Sequence, residues 1–80
     1  MEKMWIENST IAQEEGWVKA WNRNAYTELL YIAERGEIYS LILRVYESPH
    51  KYLLAEGIVV EEIEEKARNF LFLNRSKMEK

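Results

Sequence analysis

The stretch Ile38-Tyr39-Ser40-Leu41-Ile42-Leu43-Arg44-Val45-Tyr46 decides the fold. It is apolar on nearly every side. Wound as a helix, it puts Ile38, Leu41, Ile42 and Val45 on one stripe. Drawn out as a strand, it puts Tyr39, Leu41, Leu43 and Val45 on one apolar face, so periodicity leaves both readings open. Composition favours the strand, because β-branched and aromatic side chains pack well on a pleated surface. The flanking punctuation agrees. Glu34-Arg35-Gly36-Glu37 precedes the stretch, and Gly36 permits the positive φ of a tight hairpin. Ser48-Pro49-His50-Lys51 follows it, with Pro49 where a type I turn favours proline. These signals predict an antiparallel meander of three strands, about 26–33, 38–47 and 51–57.

Beyond the meander, Val60, Ile63, Ala67, Phe70 and Leu71 recur at helical spacing and predict a helix from about Val60 to Asn74. Glu61 and Glu62 suit its positive N-terminal end. Glu62–Lys66 and Glu64–Arg68 are acid-first pairs four residues apart. Phe72 falls almost opposite Ile63 on the helical wheel. Either the helix frays before it or its ring is offered to a partner. Before the meander, Ser9 to Trp21 reads as a helix, capped by Ser9 or by Thr10 with Gln13 as a capping box. Ile11, Val18, Trp21 and Ala25 lie near one stripe, although Gly16 weakens the helix and Asn22-Arg23-Asn24 breaks it. The expected class is α+β: an N-terminal helix, a three-stranded antiparallel meander and a C-terminal helix packed on the sheet. One domain spans 1–80, with fraying expected at 1–8 and 75–80. The alternative is an all-α chain of three to four short helices, in which Thr27 to Gly36 forms a capped helix.

Composition excludes much chemistry. The 80 residues contain 11 basic and 14 acidic side chains, a net charge of −3, no Cys and one His. All the acids are Glu. Without Cys there is no disulfide framework, thiolate nucleophile or Cys-type zinc site. With His50 alone and no Asp, a Ser-His-Asp relay cannot be written. Gly16, Gly36 and Gly57 are isolated, so no phosphate-cradling loop exists. Glu61 and Glu62 point apart on a helix and do not form a glycosidase-type acid–base pair. No catalytic residue, cofactor or metal is expected. No apolar run reaches 18 residues, and the N-terminus lacks the pattern of a signal peptide, so the chain reads as cytoplasmic and not membrane-bound.

Helix, three strands and helix is also the element order of double-stranded RNA-binding domains. Those place lysines at the start of the final helix to hold phosphates. This chain has Glu61, Glu62, Glu64 and Glu65 there, so no family is read from the order.

The predicted register carries the functional expectation. With hairpin loops at Arg35-Gly36 and Pro49-His50, one sheet face holds Tyr26, Leu30, Ile32, Tyr39, Leu41, Leu43, Val45 and Leu54, covered by the C-terminal helix. The other holds Thr27, Leu29, Tyr31, Ile38, Ser40, Ile42, Arg44, Tyr46, Leu53 and Ala55. In a sheet with one covered face the second should be polar, but this one is mostly apolar. Three explanations are open: the N-terminal helix covers it with Trp17, Val18 and Trp21, it forms a homodimer interface, or it docks another protein or ligand. The expected function is a small non-enzymatic protein-interaction module, of the kind common among accessory and mobile-element gene products that act as inhibitors or adaptors. Its interface residues are Leu29, Tyr31, Ile42, Arg44, Tyr46, Leu53 and Phe72. Glu substitutions at Ile42 and Tyr46 are expected to block binding without unfolding the chain. The alternative is a single-stranded nucleic-acid-binding domain that stacks bases on the tyrosines.

Overall fold

The structure is a computed structural model that describes residues 4–23, 28–45 and 51–78. The chain runs β1 (Ile6–Glu7), α1 (Ser9–Glu15), β2 (Lys19–Arg23), β3 (Glu28–Arg35), β4 (Ile38–Val45), β5 (Lys51–Gly57) and α2 (Val60–Met78). The strands form one antiparallel sheet in the order β1-β2-β3-β4-β5, each beside its sequence neighbour. The class is α+β, and the all-α alternative is wrong: residues 28–35 pair along their whole length with 38–45. The central stretch is a strand because it pairs with β3 and β5 on its two sides and its Tyr39, Leu41 and Leu43 face meets the apolar side of α2. The expected meander is present, but among the described residues the sheet has five strands, not three.

The two additional strands come from the N-terminal segment. The helix expected over Ser9–Trp21 ends at Glu15, where Gly16 takes the left-handed conformation (φ 79°). That conformation costs a residue with a Cβ about 1–2 kcal/mol, and it turns the Gly16 N–H back onto the Ala12 and Gln13 carbonyls. The Trp17 N–H also donates to the Ala12 carbonyl (2.8 Å). The chain then extends, and Lys19–Arg23 pairs with β3 from Lys19↔Ile32 to Arg23↔Glu28. Strand alternation places Ala20 on one face and Trp21 on the other, each in a different core. A continued helix would have kept Val18 and Trp21 on one stripe but paired none of these backbone groups with β3. The Asn22-Arg23-Asn24 break does not fall where expected either, since Asn22 and Arg23 are inside β2.

The α1 cap also differs from expectation. Asn8, not Ser9 or Thr10, is the N-cap, and its Oδ1 accepts from the Ile11 N–H (3.0 Å). Its Nδ2 donates to Oδ1 of the buried Asn22 (3.0 Å). Its backbone N–H donates to the Ala20 carbonyl (2.8 Å). Ile6–Glu7 pairs with Asn22 and Trp21.

The β3–β4 loop is Gly36-Glu37, one position beyond the expected Arg35-Gly36, with Arg35↔Ile38 as the last pair and Gly36 at φ 63°. The shift moves both strands together and leaves the face assignments unchanged. On the α2 face, Leu30, Ile32 and Leu41 are buried with Trp21 under Ile63 and Ala67, and Tyr39, Leu43, Phe70 and Leu71 pack around them. Trp5 closes one end, edge-on to Phe70 (6.0 Å, 67°) with the Arg23 guanidinium over its ring. Arg23 also pairs with Glu28 across β2–β3. Expected residues 26, 27, 46 and 47 lie outside the described ones.

One irregularity alters the register of β5. Leu41 pairs with Ala55 and Ile42 with Leu53, so Leu54 is an extra, bulged residue. The bulge moves Ala55 onto the α2 face, where it packs on the core. The strict alternation expected from sequence had put it on the opposite face. Glu56 comes instead to the second face, opposite Ser40.

Candidate functional site

The second face has two halves with different fates. α1 lies against β2 and β3, burying Ala12, Ala20 and Tyr31, with Ile11, Trp17, Leu29, Ala33 and Ile42 packed around them. The Trp17 and Tyr31 rings are stacked, with centroids 3.7 Å apart and planes 12° from parallel. Val18 and Trp21, expected to cover this face, pack on the α2 side. The cover is partial for a geometric reason. A helix of seven residues is about 10 Å long and 10 Å wide. Strands are spaced about 4.8 Å apart, so such a helix spans two of them, not five.

The β4–β5 half stays open. Ile38 is 43% exposed and Leu53 59%. Ser40 is half-buried, and Arg44, Lys51 and Glu56 are exposed around them. Ala33, Arg35, Ile38, Ser40, Ile42 and Glu56 line a depression of about 240 Å³. This half runs to the outer edge of β5, the last strand in the sheet order. On that strand Tyr52, Leu53 and Leu54 are all exposed, consecutive and apolar. Around the edge, Leu54 joins Leu41, Lys66, Asn69, Phe70 and Leu73 in a groove of about 330 Å³ between β5 and α2.

The predicted interface residues therefore separate. Leu53 and Arg44 are exposed on the open half, as placed from the sequence. Tyr31 is 4% exposed beneath Trp17 and is removed from the set. Leu29 and Ile42 are half-buried against the α1 core, so they are edges of that core more than anchors. Phe72 is 61% exposed, with Met4, Trp5 and Leu71 around a separate depression of about 210 Å³. It is not part of the β4–β5 site. Tyr46, and the turn with Pro49 and His50, lie outside the described residues.

The sequence pattern puts Lys51 at the rim of this face beside Arg44, where it is found, but does not reveal Tyr52, Leu54 and Glu56 as members of the surface. The apolar run Tyr52-Leu53-Leu54 was visible. Its meaning depends on β5 being outermost, and Glu56 depends on the bulge.

The electrostatics of the open half are uneven. Arg44 and Lys51 stand directly opposite each other on adjacent strands, a like-charge pairing that destabilises a sheet. No ion pair to either is formed among the described residues. Burial pushes the Tyr31 phenol above its ordinary value, with Arg44 opposing and Glu15 adding to the rise. The Tyr39 phenol is also raised, first by the charge of Glu34 across the hairpin, then by burial and by its hydrogen bond to Glu34. Among the described residues no group of three or more His, Asp or Glu side chains could hold a metal ion. No described helix is long and apolar enough to cross a membrane. Comparison with family models, curated proteins and solved structures finds no match.

Proposed function

We propose that this protein is a small non-enzymatic interaction module that docks a protein partner on the β4–β5 corner of its sheet. The observation that carries the reading is the run Tyr52-Leu53-Leu54, exposed on an outermost strand. Edge strands present unpaired N–H and C=O groups and are normally blunted by charge, proline, bulges or cover; β5 has one bulge, at Leu54, yet its run of three apolar side chains stays exposed. An extended or sheet-forming partner gains both backbone hydrogen bonds and side-chain burial there. Ile38 and the 240 Å³ depression continue the apolar contact onto the second face. An inhibitor or an adaptor would use such a surface in the same way. The single-stranded nucleic-acid alternative is weakened by the burial of Tyr31, a stacking residue it needs.

The test is capture of partners on the immobilised protein with and without nuclease, beside a Leu53→Glu variant. A stoichiometric protein retained after nuclease and lost with Leu53→Glu is the expected result. Retention that depends on nucleic acid would overturn the reading.

A further inference from the structure

We infer that the partner seated on the β5 edge is a second copy of this chain, paired antiparallel about a two-fold axis at Leu53 to give a continuous ten-stranded sheet. This rests on the docking reading above and names its occupant. The first observation is a self-complementary charge pattern. On the second face, Leu53 lies opposite Ile42, Lys51 opposite Arg44 and Glu56 opposite Ser40. Arg44 and Ser40 are each two residues from Ile42. The bulge at Leu54 thus makes Lys51 and Glu56 equidistant from Leu53, about 7 Å along the strand on either side. An antiparallel edge-to-edge dimer has its axis perpendicular to the sheet, which keeps like faces on the same side. Centred on Leu53, that axis brings each Glu56 to the Lys51 of the other copy. The Arg44–Lys51 pair, to which no described residue forms an ion pair, thereby acquires a carboxylate.

The second observation is the groove between β5 and α2 that holds Leu54, Lys66, Asn69 and Leu73. It lies at the pairing edge, and the same residues of the second copy would cover it. On the α2 face Tyr52 of one copy would meet the Leu54–Ala55 bulge of the other. All three exposed apolar residues of β5 are thereby buried.

The experiment is sedimentation equilibrium of the full chain at about 100 μM, with Lys51→Glu, Glu56→Lys and Leu53→Asp variants checked for native circular dichroism. The wild type should be a dimer. Lys51→Glu and Glu56→Lys should each weaken it about tenfold or more, the scale of close charge pairs at interfaces. Mixed one to one, those two variants should restore a dimer, because each new charge then faces its opposite. Leu53→Asp should be monomeric. A monomeric wild type overturns this inference, and if Leu53 still governs capture of another protein, the docking reading stands without it. A dimer indifferent to Lys51→Glu and Glu56→Lys, or one that mixing does not restore, also overturns it.

Discussion

The indole of Trp17 stacks on the ring of Tyr31, 3.7 Å between centroids, immediately after the Gly16 turn that ends α1. This contact ties the short helix to the middle of the sheet and turns one half of the second face into core. Trp17→Ala should therefore cost about 2–4 kcal/mol, allowing for the half-buried position of Trp17. Urea unfolding followed by circular dichroism measures it. A loss below about 0.5 kcal/mol would mean that α1 is not held by this stack.

Asn8 serves two elements at once, the α1 N-terminus and buried Asn22. Asn8→Ala should lower stability by about 2 kcal/mol, combining a lost cap with an orphaned buried amide. Asn8→Asp should cost much less, because the carboxylate still accepts from Ile11 and the Asn22 amide can turn to donate. Equal midpoints for the two variants in urea would refute the dual role.

Ile42 and Leu53 face each other in the register, but a charge at the two positions should act differently. Ile42 packs on the α1 core, so Ile42→Glu should destabilise by about 2 kcal/mol or more. This reverses the sequence-based expectation that a Glu there leaves the fold intact. Leu53→Glu, on the open edge, should change the stability of the dilute, monomeric chain by about 0.5 kcal/mol or less. Thermal melts of both variants decide the matter.

The raised Tyr31 and Tyr39 phenols predict an alkaline limit to stability. In the unfolded chain they lose their protons near the ordinary tyrosine value of about 10. In the folded chain they lose them at higher pH. Their contribution is complete below about pH 10 and declines as pH rises through the folded values, because only the unfolded state gains by early deprotonation. Urea midpoints should hold steady from pH 8 to 9 and fall above 10. Tyr31→Phe should shrink that fall and leave the share due to Tyr39. An unchanged alkaline slope in Tyr31→Phe would assign the loss to other groups.

Much of the central sheet was legible because its signals are local. Gly36 marked the hairpin that joins β3 to β4, and the bounds of β5 were read correctly. Ile63, Ala67, Phe70 and Leu71 identified the inner side of α2, and the placement of Ile63 in the core agrees with the outward position of Phe72. The candidate surface was only half legible. Leu53 and Arg44 were placed correctly, whereas Tyr31 looked identical to them in the alternating pattern and proved to be covered.

The sequence by itself determined the two apolar faces, the antiparallel β3–β4–β5 meander and the final helix. Each follows from side-chain period and turn chemistry within a few residues. Only the tertiary structure decided that Lys19–Arg23 is a strand, that Leu54 is bulged and that α1 stops short of β4 and β5. The physical reason is range. Pairing of β2 with β3 satisfies backbone groups of residues distant in sequence, and those bonds outweigh the weak helical preference of a segment interrupted by Gly16. The bulge likewise exists only in the relation of β5 to β4, and it selects Glu56 rather than Ala55 to stand beside Leu53 on the open face.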